Sequence, residues 1–234
     1  MRRFAELDST NRHLLDLARS GAPDGVVVVA DRQTAGRGRR GRSWFSPPGA
    51  SLLVSVLARP DLPPERLHLL PWSVALAAAE ACDRVAGFRP GLKWPNDLVV
   101  GDRKLAGVLV EVELPAVVVG IGLNVNWPPT SLDALCATAA NQEAGHDVDR
   151  EALLAALLQG LGDLHGRWDD VSAAYRRSCT TLGRRVRVEL GGESLAGTAA
   201  DVTDGGHLLV EVGDGVVRTV AAGAVVHLRD GPLG

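Results

Sequence analysis

Apolar residues fall along this chain in blocks of two textures, one with a helical period and one in short continuous runs. The polar run Asp8-Ser9-Thr10-Asn11 precedes Leu14, Leu15, Leu17 and Ala18. Its side-chain oxygens suit a helix N-terminus and Gly21 supplies a stop, so a short helix is predicted over residues 10–20, with Ser9 and Thr10 at its mouth. Residues 26–30 form a strand-like run leading to Gln33, and residues 51–57 form another after Pro47-Pro48-Gly49. Residues 69–85, rich in alanine and leucine, read as a buried helix ended by Gly87. A hairpin follows, with residues 98–100 and 103–112 joined through Gly101-Asp102, and then a strand over residues 117–126 that carries Gly120, Gly122 and Asn124. Within residues 149–168, Leu153, Leu154, Leu157, Leu158, Leu161, Leu164 and Trp168 recur every three or four positions, the pattern of an amphipathic helix lying on a sheet. From Arg184 onward the runs are short and valine-rich, broken by Gly191-Gly192, Gly205-Gly206 and Gly213-Asp214-Gly215. That texture predicts a small barrel-like β module beyond a boundary near Gly183.

Composition narrows the class. With 234 residues, 46% of them hydrophobic, the chain can bury one full core and a smaller second one. Its three cysteines, Cys82, Cys136 and Cys179, are scattered and odd in number, which argues against a disulfide framework or a thiolate zinc site and fits a reducing cytoplasm. The six histidines show no metal-ligand spacing, so no dedicated metal site is expected. Charges at Glu6 and Asp8 interrupt any signal-peptide core, and no apolar run nears the roughly 20 residues of a membrane span.

Residues 33–44, Gln-Thr-Ala-Gly-Arg-Gly-Arg-Arg-Gly-Arg-Ser-Trp, hold four arginines and three glycines. Glycine lets backbone close on a ligand, and guanidinium suits two-point recognition of phosphate or carboxylate. The chain as a whole is not basic: 25 Lys plus Arg stand against 28 Asp plus Glu, for a net charge of -3. Positive charge is therefore local, which favours a small anionic ligand over a nucleic-acid duplex. Gly36, Gly38 and Gly41 match the spacing G-x-G-x-x-G, but a Rossmann loop must open into a helix, and here Pro47-Pro48-Gly49 and a strand-like run follow. No P-loop motif is present either. Two plainer readings of the segment stand beside the ligand site: a solvated loop, or an RG-type patch for single-stranded RNA with Trp44 as a stacking platform.

Lys93-Trp94-Pro95-Asn96-Asp97 leads into the hairpin, and Lys104-Leu105-Ala106-Gly107 lies on its return strand. Strict alternation would place Lys104 on one face with Ala106, Val108 and Val110, either as an edge lysine or as a charge aimed into a pocket. Gly107 favours the pocket, because a glycine within a strand marks close approach to the backbone.

Taken in order, Asp8 to Asn11, Gln33 to Trp44, Lys93 to Asp97, Lys104 to Gly107 and Gly120-x-Gly-x-Asn124 resemble biotin protein ligase. The resemblance spans residues 8 to about 126 closely and the C-terminal β module more loosely. It implies an α+β catalytic domain over residues 1–182, a mixed sheet backed by helices, then a small SH3-like β domain over residues 183–234. It also implies a reaction in which biotin and ATP give biotinoyl-5'-AMP and pyrophosphate, with Mg²⁺ bridging the phosphates. A lysine of a biotin carboxyl carrier domain then takes the biotinoyl group. A carboxylate attacking a phosphate brings two anions together, so the site must supply positive charge; Lys104 and Arg39 are the catalytic candidates. Carried over residue by residue, the biotin-binding set is Ser9, Thr10, Asn11, Gln33, Arg37, Gly38, Arg39, Lys104 and Gly107. The ATP and adenylate set is Arg37, Arg39, Arg40, Trp44, Lys93, Asn96, Lys104 and Asn124. Ser9 and Thr10 read equally as helix caps, and Asn124 as a turn former. The arginine loop is expected to be disordered and to fold over the adenylate, excluding water.

Some members of that family carry an N-terminal winged helix. Here the Asp8-Ser9-Thr10 motif begins almost at the first residue, so no direct DNA binding is expected, nor a membrane, and the protein should be cytoplasmic, as a monomer or homodimer. The chief rival is a lipoate or octanoate transferase, which shares the fold and a catalytic lysine but not the arginine loop or the Lys-Trp-Pro-Asn-Asp run.

Overall fold

A computed structural model describes residues 1–129, 131–190, 193–213, 215–221 and 223–228. The breaks expected at Gly191-Gly192 and at Asp214 lie outside them. In chain order the elements are β1 (Arg2–Leu7), α1 (Thr10–Arg19), β2 (Val27–Gln33), β3 (Ser51–Ala58), α2 (Leu69–Ala86), β4 (Gly91–Lys93), β5 (Asp97–Val100), β6 (Arg103–Glu113) and β7 (Ala116–Asn124). Then come α3 (Ala140–Ala144), α4 (Arg150–Leu164), α5 (Trp168–Ser178), β8 (Arg185–Glu189), β9 (Ser194–Val202), β10 (Leu208–Glu211), β11 (Val217–Val220) and β12 (Ala224–His227).

The first seven strands make one mixed sheet in the order β1-β2-β3-β7-β6-β5-β4, parallel between β1 and β2 and antiparallel elsewhere. On one face lies the main core. Helix α2 is buried on nearly every side because it sits between the sheet and α4 and α5, which is why its sequence shows little polarity of face. Its Trp72 stacks on Tyr175 of α5 at 3.9 Å between ring centres, a contact worth about 1 kcal/mol beyond area burial. Asp149 caps α4 through the backbone N–H groups of Glu151 and Ala152, and α2 ends on Gly87 at φ 73°, a left-handed turn that glycine takes without cost.

The opposite face is covered unevenly. Helix α1 packs Leu14 against Val28, Leu57 and Val118, while the loop from Gly36 to Trp44 covers the rest and encloses a cavity. Among the described residues no helix is long and apolar enough to cross a membrane. The last five strands form a separate antiparallel sheet in the order β11-β10-β9-β8-β12, the SH3-like module, with its own buried valines Val186, Val188 and Val210.

The sequence pattern predicts neither strand β1 nor helix α5. Strand β1 is an edge strand with almost no burial, so it carries little hydrophobic pattern. Helix α5 follows Gly166, at φ 77°, which splits the amphipathic stretch read as one helix into two.

Candidate active site

The cavity of about 460 Å³ opens over strands β3, β6 and β7. Its floor is flat because the strands present glycine there: Gly107 pairs with Gly122, and Leu109 and Ser55 each pair with Gly120. A methyl group on Gly122 would lie 2.5 Å from the Trp44 ring, and one on Gly120 would lie 2.1 Å from Asn11 Oδ1. Glycine is required at both because another group already occupies that space.

The deep end is neutral and closed. Ser9, Thr10 and Asn11 are buried at the first turn of α1, where Ser9 Oγ is also the helix cap, 3.5 Å from Arg12 N. Thr10 donates its N–H to Gln33 Oε1 at 2.8 Å, and its hydroxyl lies 3.0 Å from the same oxygen. Ser55, fully buried on β3, stands 2.7 Å from Thr10 Oγ1 and 2.6 Å from Asn11 Oδ1. The sequence signal for Ser55 is a serine within an otherwise apolar strand.

The mouth is cationic. The expected disordered loop is folded in the structure: Trp44 N donates to Gly36 O, Arg37 bridges Ser43, and a 3₁₀ turn spans Arg39–Gly41 with Arg40 at φ 58°. Arg39 reaches inward and donates to Asn96 Oδ1 at 3.0 Å, while Asn96 Nδ2 donates to Val108 O at 2.7 Å. Burial pulls the Arg39 guanidinium below its ordinary pKa, with Asp97 opposing; a guanidinium keeps its charge in proteins. Trp44 lies against Gly107 and Gly122, with Lys104 Nζ 5.6 Å from its ring centre, within cation–π range.

Lys104 is not where alternation put it. The register of β5 and β6 slips by one residue at a bulge, so Ala106 faces Leu98 while Lys104 faces Val99. Leu105 and Ala106 both enter the main core, and Lys104 joins the cavity face, its Nζ 3.1 Å from where a Gly107 Cβ would stand. Bulges re-aim side chains in this way. Two contacts hold it there: Nζ lies 2.7 Å from Asp97 Oδ1, and its backbone is clamped to a segment beyond β7, with Lys104 N donating to Cys136 O and Thr138 N donating to Lys104 O. Asn124 also lines the cavity, though its amide is engaged with Thr138 O and Ser51.

Of the residues singled out from the sequence, the cavity gathers Ser9, Thr10, Asn11, Gln33, Arg37, Gly38, Arg39, Trp44, Asn96, Lys104, Gly107 and Asn124. Arg40 and Lys93 do not line it. The Arg40 guanidinium turns outward and donates to Glu189 O on β8. Lys93, whose pKa burial lowers, is flanked by Asp97, Asp102 and Arg184 and also acts on His227 of the β module. Neighbouring residues in a charged motif alternate in direction, and sequence spacing alone does not separate those facing the cavity from those facing away.

Residues 4–126 match the sequence model of the biotin/lipoate A/B protein ligase family, and residues 181–228 match that of the biotin protein ligase C-terminal domain. The chain belongs to the biotin protein ligase family. It is 41% identical to the biotin--[acetyl-CoA-carboxylase] ligase of Mycobacterium tuberculosis, over 96% of this chain and 88% of that one. It superposes with a TM-score of 0.81 on biotin protein ligase from Aquifex aeolicus in complex with biotin and ATP, at 28% identity and 98% coverage of both chains. With the biotin protein ligase of Leishmania major in complex with biotinyl-5-AMP the TM-score is 0.66, at 27% identity, over 94% of this chain and 98% of that chain.

Proposed function

We propose that this cavity joins biotin to ATP as biotinoyl-5'-AMP and passes the biotinoyl group to a lysine of a biotin carboxyl carrier domain. The observation that carries this reading is the polarity of one cavity: uncharged hydrogen-bonding groups at the deep end, and Arg37, Arg39 and Lys104 at the mouth. An uncharged ureido ring fits the first and a carboxylate meeting a phosphate fits the second. Ser9, Thr10, Asn11 and Gln33 are the ureido partners in this assignment, and Gly38 and Gly107 let the ligand pass close to backbone. Trp44, Asn96 and Asn124 border the nucleotide.

In the first step a biotin carboxylate oxygen attacks the α-phosphorus, a P–O bond forms, and the bond to pyrophosphate breaks. Charge builds on the equatorial phosphate oxygens, where Lys104 and Arg39 stand. One unit charge at 4 Å contributes about 4 kcal/mol at an effective dielectric of about 20, roughly a thousandfold in rate. Asp97 is the counter-charge that keeps Lys104 aimed before the phosphate arrives. In the second step the carrier amine attacks the anhydride carbonyl, the C–O bond to AMP breaks, and the amine loses its proton. No enzyme nucleophile is needed. Among the described residues no group of three His, Cys, Asp or Glu is placed to hold a metal ion. In this reading Mg²⁺ comes with the triphosphate as substrate, neutralising its oxygens. We place the division between catalytic domain and β module near Gly183, and the protein in the cytoplasm.

The test is the intact mass of a biotin carboxyl carrier domain after incubation with the protein, MgATP, and biotin or lipoate. Gain of one biotinoyl group that requires ATP is expected, and Lys104→Ala should lose pyrophosphate release by about a thousandfold while keeping its fold. Lipoylation in place of biotinylation would move the protein to the sister activity, and near-normal pyrophosphate release by Lys104→Ala would remove that lysine from the mechanism.

A further inference from the structure

Glu111 stands on β6 two positions beyond Leu109, on the face of the sheet that forms the cavity floor. Nothing in the chemistry above uses it. Its side chain is only 17% exposed, and an acid so placed is costly unless both oxygens find partners. They do, and the two partners come from different parts of the site. Oε1 lies 2.7 Å from Arg37 Nη1 of the arginine loop, and Oε2 accepts from Asn11 Nδ2 of α1 at 3.0 Å.

The orientation of Asn11 is fixed from its other side. Its Oδ1 accepts from the buried Ser55 hydroxyl at 2.6 Å, so the amide NH₂ must face Glu111, with Leu109 O as a further acceptor at 3.3 Å. From Asn11 the contacts continue through Ser55 to Thr10 and Gln33. A continuous polar chain therefore runs from the groups that would grip the ureido ring to an arginine on the loop that closes the cavity, and Glu111 is its one charged link. Asp97 does for Lys104 what Glu111 does for Arg37: each is an acid that fixes a cation of the site.

We propose that Glu111 is a positioning residue that docks the arginine loop through Arg37 and ties its closure to the biotin end of the cavity. It touches neither substrate nor reacting atoms. Its removal should leave the chemical step alone and loosen what the closed loop retains. This rests on the adenylate reading given above.

Glu111→Gln, nearly isosteric, keeps an acceptor for Asn11 and discharges the partner of Arg37. Charge-assisted hydrogen bonds contribute more than neutral ones, and Arg37 is half exposed, so biotinoyl-AMP should leave the variant about fivefold to tenfold faster. The single-turnover rate of adenylate formation at saturating biotin and ATP should stay within about twofold. Arg37→Gln, which also removes a cation from the mouth, should release adenylate at least as fast, and adding Glu111→Gln to it should change that rate less than about twofold, since one contact is lost only once. Adenylate retention by Glu111→Gln equal to that of the unsubstituted protein, or independent multiplication of the two effects, would overturn the proposal. Failure of the unsubstituted protein to form adenylate would instead overturn the functional reading, so the two failures are distinguishable.

Discussion

The cavity floor and the seam where the β module meets the catalytic sheet are both polar, the floor buried and the seam partly open to solvent, and they are built from different chemistry. The floor uses hydroxyls and amides of Thr10, Asn11, Gln33 and Ser55, joined by short neutral contacts and standing on glycines. The seam uses groups that titrate. His227 lies 3.1 Å from Thr181 Oγ1, which itself accepts from Trp94 N, and beside it are Lys93, Arg184 and Asp102. Trp94 crosses the seam and donates its indole N–H to Gly206 O at 3.0 Å. A second cavity of about 290 Å³ lies along the seam and shares Arg39 and Asn96 with the first. The contacts among Thr10, Asn11, Gln33 and Ser55 are neutral and hold one geometry across pH and salt, which suits recognition of an uncharged ring; the one carboxylate joined to them, Glu111, is held at their edge by Arg37. A charged seam responds to solution conditions, and acid should open it before it disturbs the floor.

The most severe way to break the comparison is at the floor. Gly120→Ala puts a methyl group 2.1 Å from Asn11 Oδ1 and 3.0 Å from Ser55 Oγ, atoms fixed by their own hydrogen bonds. A loss of about 3 kcal/mol in stability is expected, the upper end of overpacking costs, with biotin affinity down about a hundredfold, roughly 2.7 kcal/mol. Gly122→Ala meets only the Trp44 ring, at 2.5–2.8 Å, and that ring sits on a loop that can move aside. Its stability should change by less than about 1 kcal/mol while adenylate retention falls. Urea unfolding and biotin calorimetry on both variants check the order. If Gly122→Ala proved the less stable of the two, the floor would not be the rigid half of the site.

Much of this site was legible because five motifs carry residue types with few alternative uses. Clustered arginine and glycine, a lysine beside a strand glycine, and a capping run each limit what the backbone can do locally. Direction was harder to read. Lys104 reaches the cavity only through a bulge at Leu105 that no periodicity announces, and Arg40 and Lys93 share motifs with cavity residues while facing elsewhere. Of the partners that fix the site, Ser55 lies 44 positions and Glu111 100 positions from Asn11, and the segment around Cys136 that clamps Lys104 comes from beyond β7. Pairings between distant segments are set by register and packing, which one sequence does not print.

At the seam, burial, helped by Lys93 and Arg184, drives the His227 pKa from 6.5 down to about 4. An unfolded chain takes up this proton near pH 6.5, whereas the folded protein refuses it until about pH 4. Between those values the unfolded state binds more protons, so stability falls on acidification and the contribution is lost fully below about pH 4. At about 1.4 kcal/mol per pH unit the full shift would remove roughly 2 kcal/mol by pH 5, and solvent screening at the partly open seam reduces the expected loss to about 1 kcal/mol. Denaturant midpoints of the unsubstituted protein and of His227→Gln, compared at pH 7 and pH 5, should show the drop in the first and its reduction in the second. Equal slopes in the two proteins would place the acid-sensitive group outside the seam.

Arg40 joins the two regions and should matter least. It sits in the middle of the arginine loop with the left-handed backbone angle φ 58°, and its guanidinium donates to Glu189 O at the protein surface. The geometry trades one exposed hydrogen bond for water on truncation. Arg40→Ala should therefore shift stability by no more than about 0.5 kcal/mol and the KM for ATP by no more than about twofold. Arg39→Ala, which removes the buried donor to Asn96, should raise that KM more than about tenfold. Steady-state kinetics at varied ATP separates the two. A tenfold rise for Arg40→Ala would mean that the loop turns this arginine into the loaded cavity, and that its contact with the β module is exchanged for phosphate during turnover. In that event the floor and the seam would be two halves of one moving part, not two independently built regions.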